Sequence, residues 1–192
     1  MKYNIILGSK SPRRREILTM AGIDFETIDI DYEEVIPKDG RAVGEIPVYL
    51  AEQKAFHATG LNPDQLLITA DTLVFLEDRI LGKPKNLEEA YEMLQSLSGR
   101  RHEVITGVCL RYNDKYESFS DVSKVYFKDL EAGEIKHYIQ NHEVLDKAGA
   151  YGVQDWMGLI GIERIEGSYF NVMGLPMHLV YQALQKIENQ TK

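Results

Sequence analysis

Apolar and polar positions alternate along this chain with two periods, near two and near three and a half, and the interleaving predicts strands alternating with helices. Residues 3–7 form a short apolar run expected as a first strand, and residues 25–30 alternate as a second. Between them Ile17, Leu18 and Ala21 recur at helical spacing. Ser11 stands as N-cap, Pro12 suits the first helical position, and Gly22 closes the segment. Residues 48–59 read as a helix opened by Pro47. LLITADTLVFL (66–76) alternates as a strand, with EDR as a turn and ILGKP as its return. Asn86 caps the next helix, which has Glu88 and Glu89 in its first turn and Gly99 past its end. HEVITGVCLRY and SDVSKVYF are expected strands around Asn113-Asp114. EIKHYIQNH is helical, GLIGIERI and YFNVMG are expected to be extended, and Pro176 opens a closing helix to Ile187. Antiparallel hairpins among helices predict α/β or α+β layers, a mixed twisted sheet with flanking helices.

Composition narrows this picture. A chain of 192 residues can bury a sizeable core and is expected to form one domain over 1–192, with or without two lobes. No segment reads as a membrane span or signal peptide, and Cys109, the single cysteine, fits a reducing compartment, so a cytoplasmic protein is expected. The net charge of −8 argues against broad nucleic-acid binding. A local basic cluster on an acidic chain points instead to a small polyanion.

That cluster is GSKSPRRREIL, which sets Arg13, Arg14 and Arg15 in the first turn of a helix. Backbone N–H groups there already carry partial positive charge, so each cation costs a few tenths of a kcal/mol, about what an anion would gain. Either the turn is a solvated basic patch paired with Glu16, or it awaits an absent anion such as phosphate, with Arg13 and Arg14 nearest the helix mouth. It lacks the P-loop pattern. Asp71 is the second signal: a carboxylate in an apolar strand needs a cation, a metal, a proton or backbone partners. A two-residue turn at Glu77-Asp78 would set Thr72 opposite Lys83, and a three-residue loop would set Asp71 there. Glu33 and Glu34 lie in an acidic loop that is either solvated or able to share Mg²⁺ with substrate phosphates. Periodicity leaves Lys54 on the surface. The histidines lack metal-binding spacing, His102 reads as a structural hydrogen-bonding residue, and no serine or cysteine nucleophile motif is present. DKAGAYGVQ and GSYFNVMGLP are either Gly-rich core turns or places of close backbone approach to a ligand, where Gln154 suits the edge of a base.

SKSPRRREIL, ADTLV, LGKP, LQSLSGRRHEVITGV, DKAGAYGVQ and GSYFNVMGLP, in this order and spacing, resemble the Maf family of nucleoside triphosphate pyrophosphatases, also described as septum-formation proteins. The resemblance spans almost the whole chain. It implies a fold akin to inosine triphosphate pyrophosphatases, two lobes around a cleft and a homodimer. It implies metal-dependent hydrolysis of a nucleoside triphosphate to the monophosphate and pyrophosphate. The family's catalytic carboxylate falls on Asp71, its phosphate-binding positions on Ser11, Arg13, Arg14, Lys54 and Lys83, and its Mg²⁺- or Mn²⁺-associated carboxylates on Glu34 and Asp71. Arg13, Thr72 and Gln154 fall on the positions that discriminate substrates and match the dTTP/UTP branch. Asp155-Trp156 departs from the family pattern, which carries a small residue after the glutamine. Asp71 is then expected to act as general base, kept ionised by nearby Lys83. A cation would polarise the phosphate and lower the pKa of bound water. The alternative is a nucleotide-binding regulator of cell division without hydrolysis, although such a binder gains nothing from a buried negative charge.

Overall fold

The computed structural model describes residues 2–37 and 39–190. In chain order its elements are β1 (Asn4–Leu7), α1 (Pro12–Met20), β2 (Phe25–Thr27), α2 (Ile46–His57), β3 (Gln65–Leu76), β4 (Arg79–Leu81) and α3 (Leu87–Leu97). They continue with β5 (Arg101–Tyr112), β6 (Lys115–Phe127), α4 (Ala132–Asn141), α5 (Trp156–Gly161), β7 (Ile162–Glu166), α6 (Tyr169–Met173) and α7 (Met177–Asn189). The chain divides into two compact units, Met1–Asp71 with Thr106–Asp121 and Gly174–Lys192, and Thr72–Ile105 with Val122–Met173. Among the described residues no helix is long and apolar enough to cross a membrane.

In the first unit the strands lie in the order β2-β1-β3-β5-β6, with β1 parallel to both neighbours and Ile5 level with Phe25 and Leu66. Ile6, Leu67 and Cys109 form an apolar face onto which α2 lays Ala51 and Ala55, with its C-cap Ala58 beside them. Small side chains let the helix come close. At Gly107 a Cβ would stand 2.2 Å from the Val48 nitrogen and 2.4 Å from the Pro47 oxygen, so α2 touches β5 backbone to backbone. The Thr69 hydroxyl donates to the Ala51 carbonyl at 2.7 Å, and the Arg111 guanidinium donates to the Ala55 and Ala58 carbonyls, both at 2.8 Å, at the negative end of the helix dipole. β2 is shorter than expected and stops at Thr27. Its partner β1 ends at Leu7, which accepts from the Ile28 N–H, and beyond that point no strand remains to pair with. Ile28 and Ile30 still pack on the alanine face.

In the second unit the order is β4-β3-β5-β6-β7. The turn between β3 and β4 is Glu77-Asp78, with Leu76 opposite Arg79 and Val74 opposite Leu81. Glu77 takes the left-handed φ of 55° that a tight hairpin demands of its first turn residue. Val74, Leu81, Leu94, Val104, Phe127, Tyr138 and Met157 belong to the core of this unit. Asn86 caps α3 as expected, its side chain accepting from the Glu89 N–H at 2.8 Å. Three expectations are corrected. β6 begins at Lys115, five residues before SDVSKVYF, because the short turn at Asn113-Asp114 carries pairing straight on. Residues 156–161 are helical, and extended chain starts only at Ile162. YFNVM is a helix rather than a strand: the Ser168 hydroxyl accepts from the Asn171 N–H at 3.2 Å, a cap that outweighs the alternation.

Candidate active site

The turn after β1 and the mouth of α1 form as the sequence predicts. Ser11 is the N-cap, with extended φ/ψ of −67° and 120°, and Pro12 opens the helix, but the Ser11 hydroxyl makes no capping bond. The three arginines separate by depth: Arg14 is buried, Arg13 half-buried and Arg15 exposed. Arg14 Nε donates to the Gly174 carbonyl at 2.8 Å, and its Nη1 donates to the Ser9 hydroxyl at 3.0 Å. Ser9 was missed in the sequence. Its signal is a serine two residues before the N-cap, whose hydroxyl also accepts from the Ser11 N–H at 3.3 Å. The first and last sequence blocks, SPRR and MGLP, are thus tied through one guanidinium.

Asp71 is 6% exposed and lies on the β3 face that carries Thr69, and hence toward α2. Lys54 answers it from α2, its Nζ donating to Asp71 Oδ1 at 2.6 Å and to the Ala70 carbonyl at 3.3 Å. Lys54 Nζ also lies 2.7 Å from Glu34 Oε1. The surface position read for Lys54 is corrected: its side chain is 12% exposed, because the alanine face brings α2 within reach of the strand. The cation paired with Asp71 is therefore Lys54, where the sequence pointed to Lys83 for that role. Burial pushes the Asp71 carboxyl above its usual range; Lys54 and Arg14 pull it down, while Glu34 adds to the rise. Burial also lowers the Arg14 pKa, against the pull of Asp71 and Glu34. Two cations and two carboxylates make this group formally neutral, with Arg13 beside it.

Two carboxylates converging on one ammonium also suit a hard divalent cation that shares its remaining positions with phosphate oxygens and water. Among the described residues no cluster of three or more His, Cys, Asp or Glu side chains forms a self-sufficient metal cage.

The second unit holds the other three candidates. Thr72 follows Asp71 on β3 and is half-buried. The two-residue turn fixes the register in favour of Thr72 over Asp71 in line with Lys83, but strand pairing ends at Val74–Leu81 and the Gly82 carbonyl accepts from the Gly149 N–H instead. Lys83 is exposed on the connection to α3. Gln154 lies on the loop before α5 and helps line a cavity of about 380 Å³ with Gly158, Leu159, Arg164 and Tyr169. Its Oε1 is buried without a hydrogen-bond partner among the described residues. His102 is structural, as read: its Nε2 meets the Tyr151 hydroxyl at 2.7 Å, and burial pushes it down to about 3. Burial raises the Cys109 thiol to about 11, which agrees with the absence of a thiol nucleophile.

A mixed α/β chain with an arginine-lined helix mouth beside a buried carboxylate–lysine pair is equipped for polyanion chemistry. Residues 4–187 match the family model described as Maf-like protein, and the chain belongs to that family. It is 47% identical over 187 residues to a dTTP/UTP pyrophosphatase of Phocaeicola vulgatus, covering 97% of each chain. It is 46% identical over 188 residues to one of Bacteroides thetaiotaomicron, again covering 97% of each. A dTTP/UTP pyrophosphatase of Parabacteroides distasonis is 49% identical over 186 residues, 96% of each chain. Among solved structures the Staphylococcus aureus Ham1 protein matches with a TM-score of 0.44 and 18% identity over 66% of this chain and 72% of that one.

Proposed function

We propose that this protein hydrolyses nucleoside triphosphates, dTTP and UTP in preference, to the monophosphate and pyrophosphate. The observation that carries the reading is Asp71, buried in the first unit yet held within 2.6 Å of Lys54 and in the field of Arg14, in a chain so similar to dTTP/UTP pyrophosphatases. A site built only to hold a polyanion gains nothing from that carboxylate, which disfavours a purely regulatory binder.

In the reaction we propose, a water oxygen attacks the α-phosphorus, the bond from that phosphorus to the bridging oxygen breaks, and pyrophosphate leaves. Asp71 takes the proton from the water; burial makes it a stronger base than an ordinary aspartate. Ser11, Arg13, Arg14, Lys54 and Lys83 bind the phosphates, and the cations offset charge growing on the leaving group. The group around Asp71 is neutral before substrate arrives, so a tetra-anionic triphosphate calls for more positive charge than Lys54 and Arg14 supply. Glu34 and Asp71 would hold Mg²⁺ or Mn²⁺, which, when bound, neutralises phosphate oxygens. Arg13, Thr72 and Gln154 select the base, and the buried Gln154 oxygen, which has no hydrogen-bond partner among the described residues, suits the N3–H donor of uracil or thymine. The reading includes a homodimer in the cytoplasm, as the family resemblance implies.

The test is pyrophosphate release from a panel of triphosphates with Mg²⁺ or Mn²⁺, expected to be fastest for dTTP and UTP and abolished by chelator. Asp71→Asn is expected to lose at least about 10³-fold in kcat while binding a nonhydrolysable dUTP analogue within a few-fold of the native affinity. Orthophosphate as the first product, or turnover retained in the variant, would overturn the scheme.

A further inference from the structure

Asp155, the departure from the family pattern, is half-buried and joins a polar network with the buried Tyr138 and Lys147 in the second unit. Its Oδ2 accepts from the Tyr138 hydroxyl at 3.0 Å and stands 3.5 Å from Lys147 Nζ. The same Tyr138 oxygen accepts from the Gly152 N–H at 3.1 Å. The Asp155 N–H donates to the Gly152 carbonyl at 3.1 Å, and the Asp155 carbonyl accepts from the Leu159 N–H at 3.2 Å, opening α5. Residues 152–155 are therefore a closed turn, fastened at both ends to one phenol. Two glycines let it close: a Cβ on Gly152 would stand 2.5 Å from Asp155 Oδ2, and one on Gly158 would stand 1.9 Å from the Val153 carbonyl oxygen. Lys147 keeps a second carboxylate, Asp146, at 2.8 Å, and Tyr138 is fully buried.

Gln154 is the third residue of this turn. We infer that Asp155 is a positioning residue for Gln154: through Tyr138 and Lys147 its carboxylate fixes the turn and so the aim of the Gln154 amide. The inference rests on the reading of Gln154 as the residue that selects the base. An amide that discriminates uracil from cytosine must hold its donor and acceptor to within about half an ångström, because looser presentation lets the wrong edge bind. The residue after the reader thus does the holding here.

The test compares kcat/KM for UTP and CTP in the full-length protein. Asp155→Ala and Tyr138→Phe are expected to cut the UTP-to-CTP ratio by about tenfold or more through a higher KM for UTP, with kcat within about threefold. Asp155→Asn keeps an oxygen for the Tyr138 hydroxyl and is expected to retain the ratio. Adding Asp155→Ala to Gln154→Ala is expected to cost no further discrimination. A ratio lost in Gln154→Ala but kept in both Asp155→Ala and Tyr138→Phe overturns the positioning role alone. A ratio unchanged in Gln154→Ala overturns that role together with the base-reading assignment. Should Asp155→Ala fail to fold, Tyr138→Phe, which removes one oxygen from a buried ring, decides.

Discussion

Lys54 is the residue on which the electrostatics of the first unit turn, because one ammonium faces two carboxylates of different exposure. Glu34 is 44% exposed and can leave for solvent or a cation; Asp71, 8% exposed at its side chain, cannot. Asp71 must be ionised to take a proton, so turnover should rise with pH as it deprotonates. Burial places that limb above the ordinary aspartate value of 3.8. Lys54 holds the Asp71 carboxyl down, so Lys54→Met is expected to move the acid limb of kcat to higher pH, besides weakening substrate binding. A pH–rate profile at saturating UTP checks this, and a limb that stays or moves to lower pH would count against Asp71 as the base. The pairing itself was hidden in the sequence. Helical periodicity marks which face is apolar, but not how close the helix comes to the sheet, and closeness decides whether a four-carbon stem reaches a strand.

Helix α2 sets that distance. Its approach depends on alanines on its own face and on Gly107 of β5, where helix backbone occupies the space of a side chain. Gly107→Ala is expected to push the helix outward, at a cost of about 3 kcal/mol in stability, and to lower kcat by withdrawing Lys54. Urea unfolding and steady-state kinetics on the same preparation would show both losses; one without the other would separate packing from catalysis. At this scale the sequence was most legible where caps and turns speak locally: Ser11-Pro12 before α1, Asn86 before α3, Pro176 before α7. It misled in 158–161 and 169–173, where glycine spacing and apolar alternation imitate strands, while the extended chain expected through Ile165 does form from Ile162 as β7. There α5 seats against a carbonyl through Gly158, and Ser168 caps α6, both tertiary or side-chain contacts that a period cannot register.

At the scale of the whole molecule, an acidic chain with a net charge of −8 has to gather a more acidic ligand, and local charge must overcome the global field. Binding should therefore show in stability. A nonhydrolysable dUTP analogue with Mg²⁺ at a hundred times its Kd is expected to add about 2.7 kcal/mol, or roughly 5–10 °C in Tm for a chain of this size. Arg13→Ala should shrink that shift at the same concentration, whereas Arg15→Ala, an exposed position, should leave it intact. Thermal melts with and without analogue and chelator would decide. Asp71 could be picked out from sequence because a carboxylate is costly in an apolar strand, and Gln154 because the family resemblance singles out its position. The links among them, Arg14 to Gly174 and Asp155 to Tyr138, join positions 160 and 17 residues apart and leave no local trace. The first of these links bears on biosynthesis. Until the ribosome has added Gly174, the guanidinium of Arg14 lacks that carbonyl, so a nascent or prematurely terminated polypeptide that stops short of residue 174 should hold its arginine turn unset and do no hydrolysis.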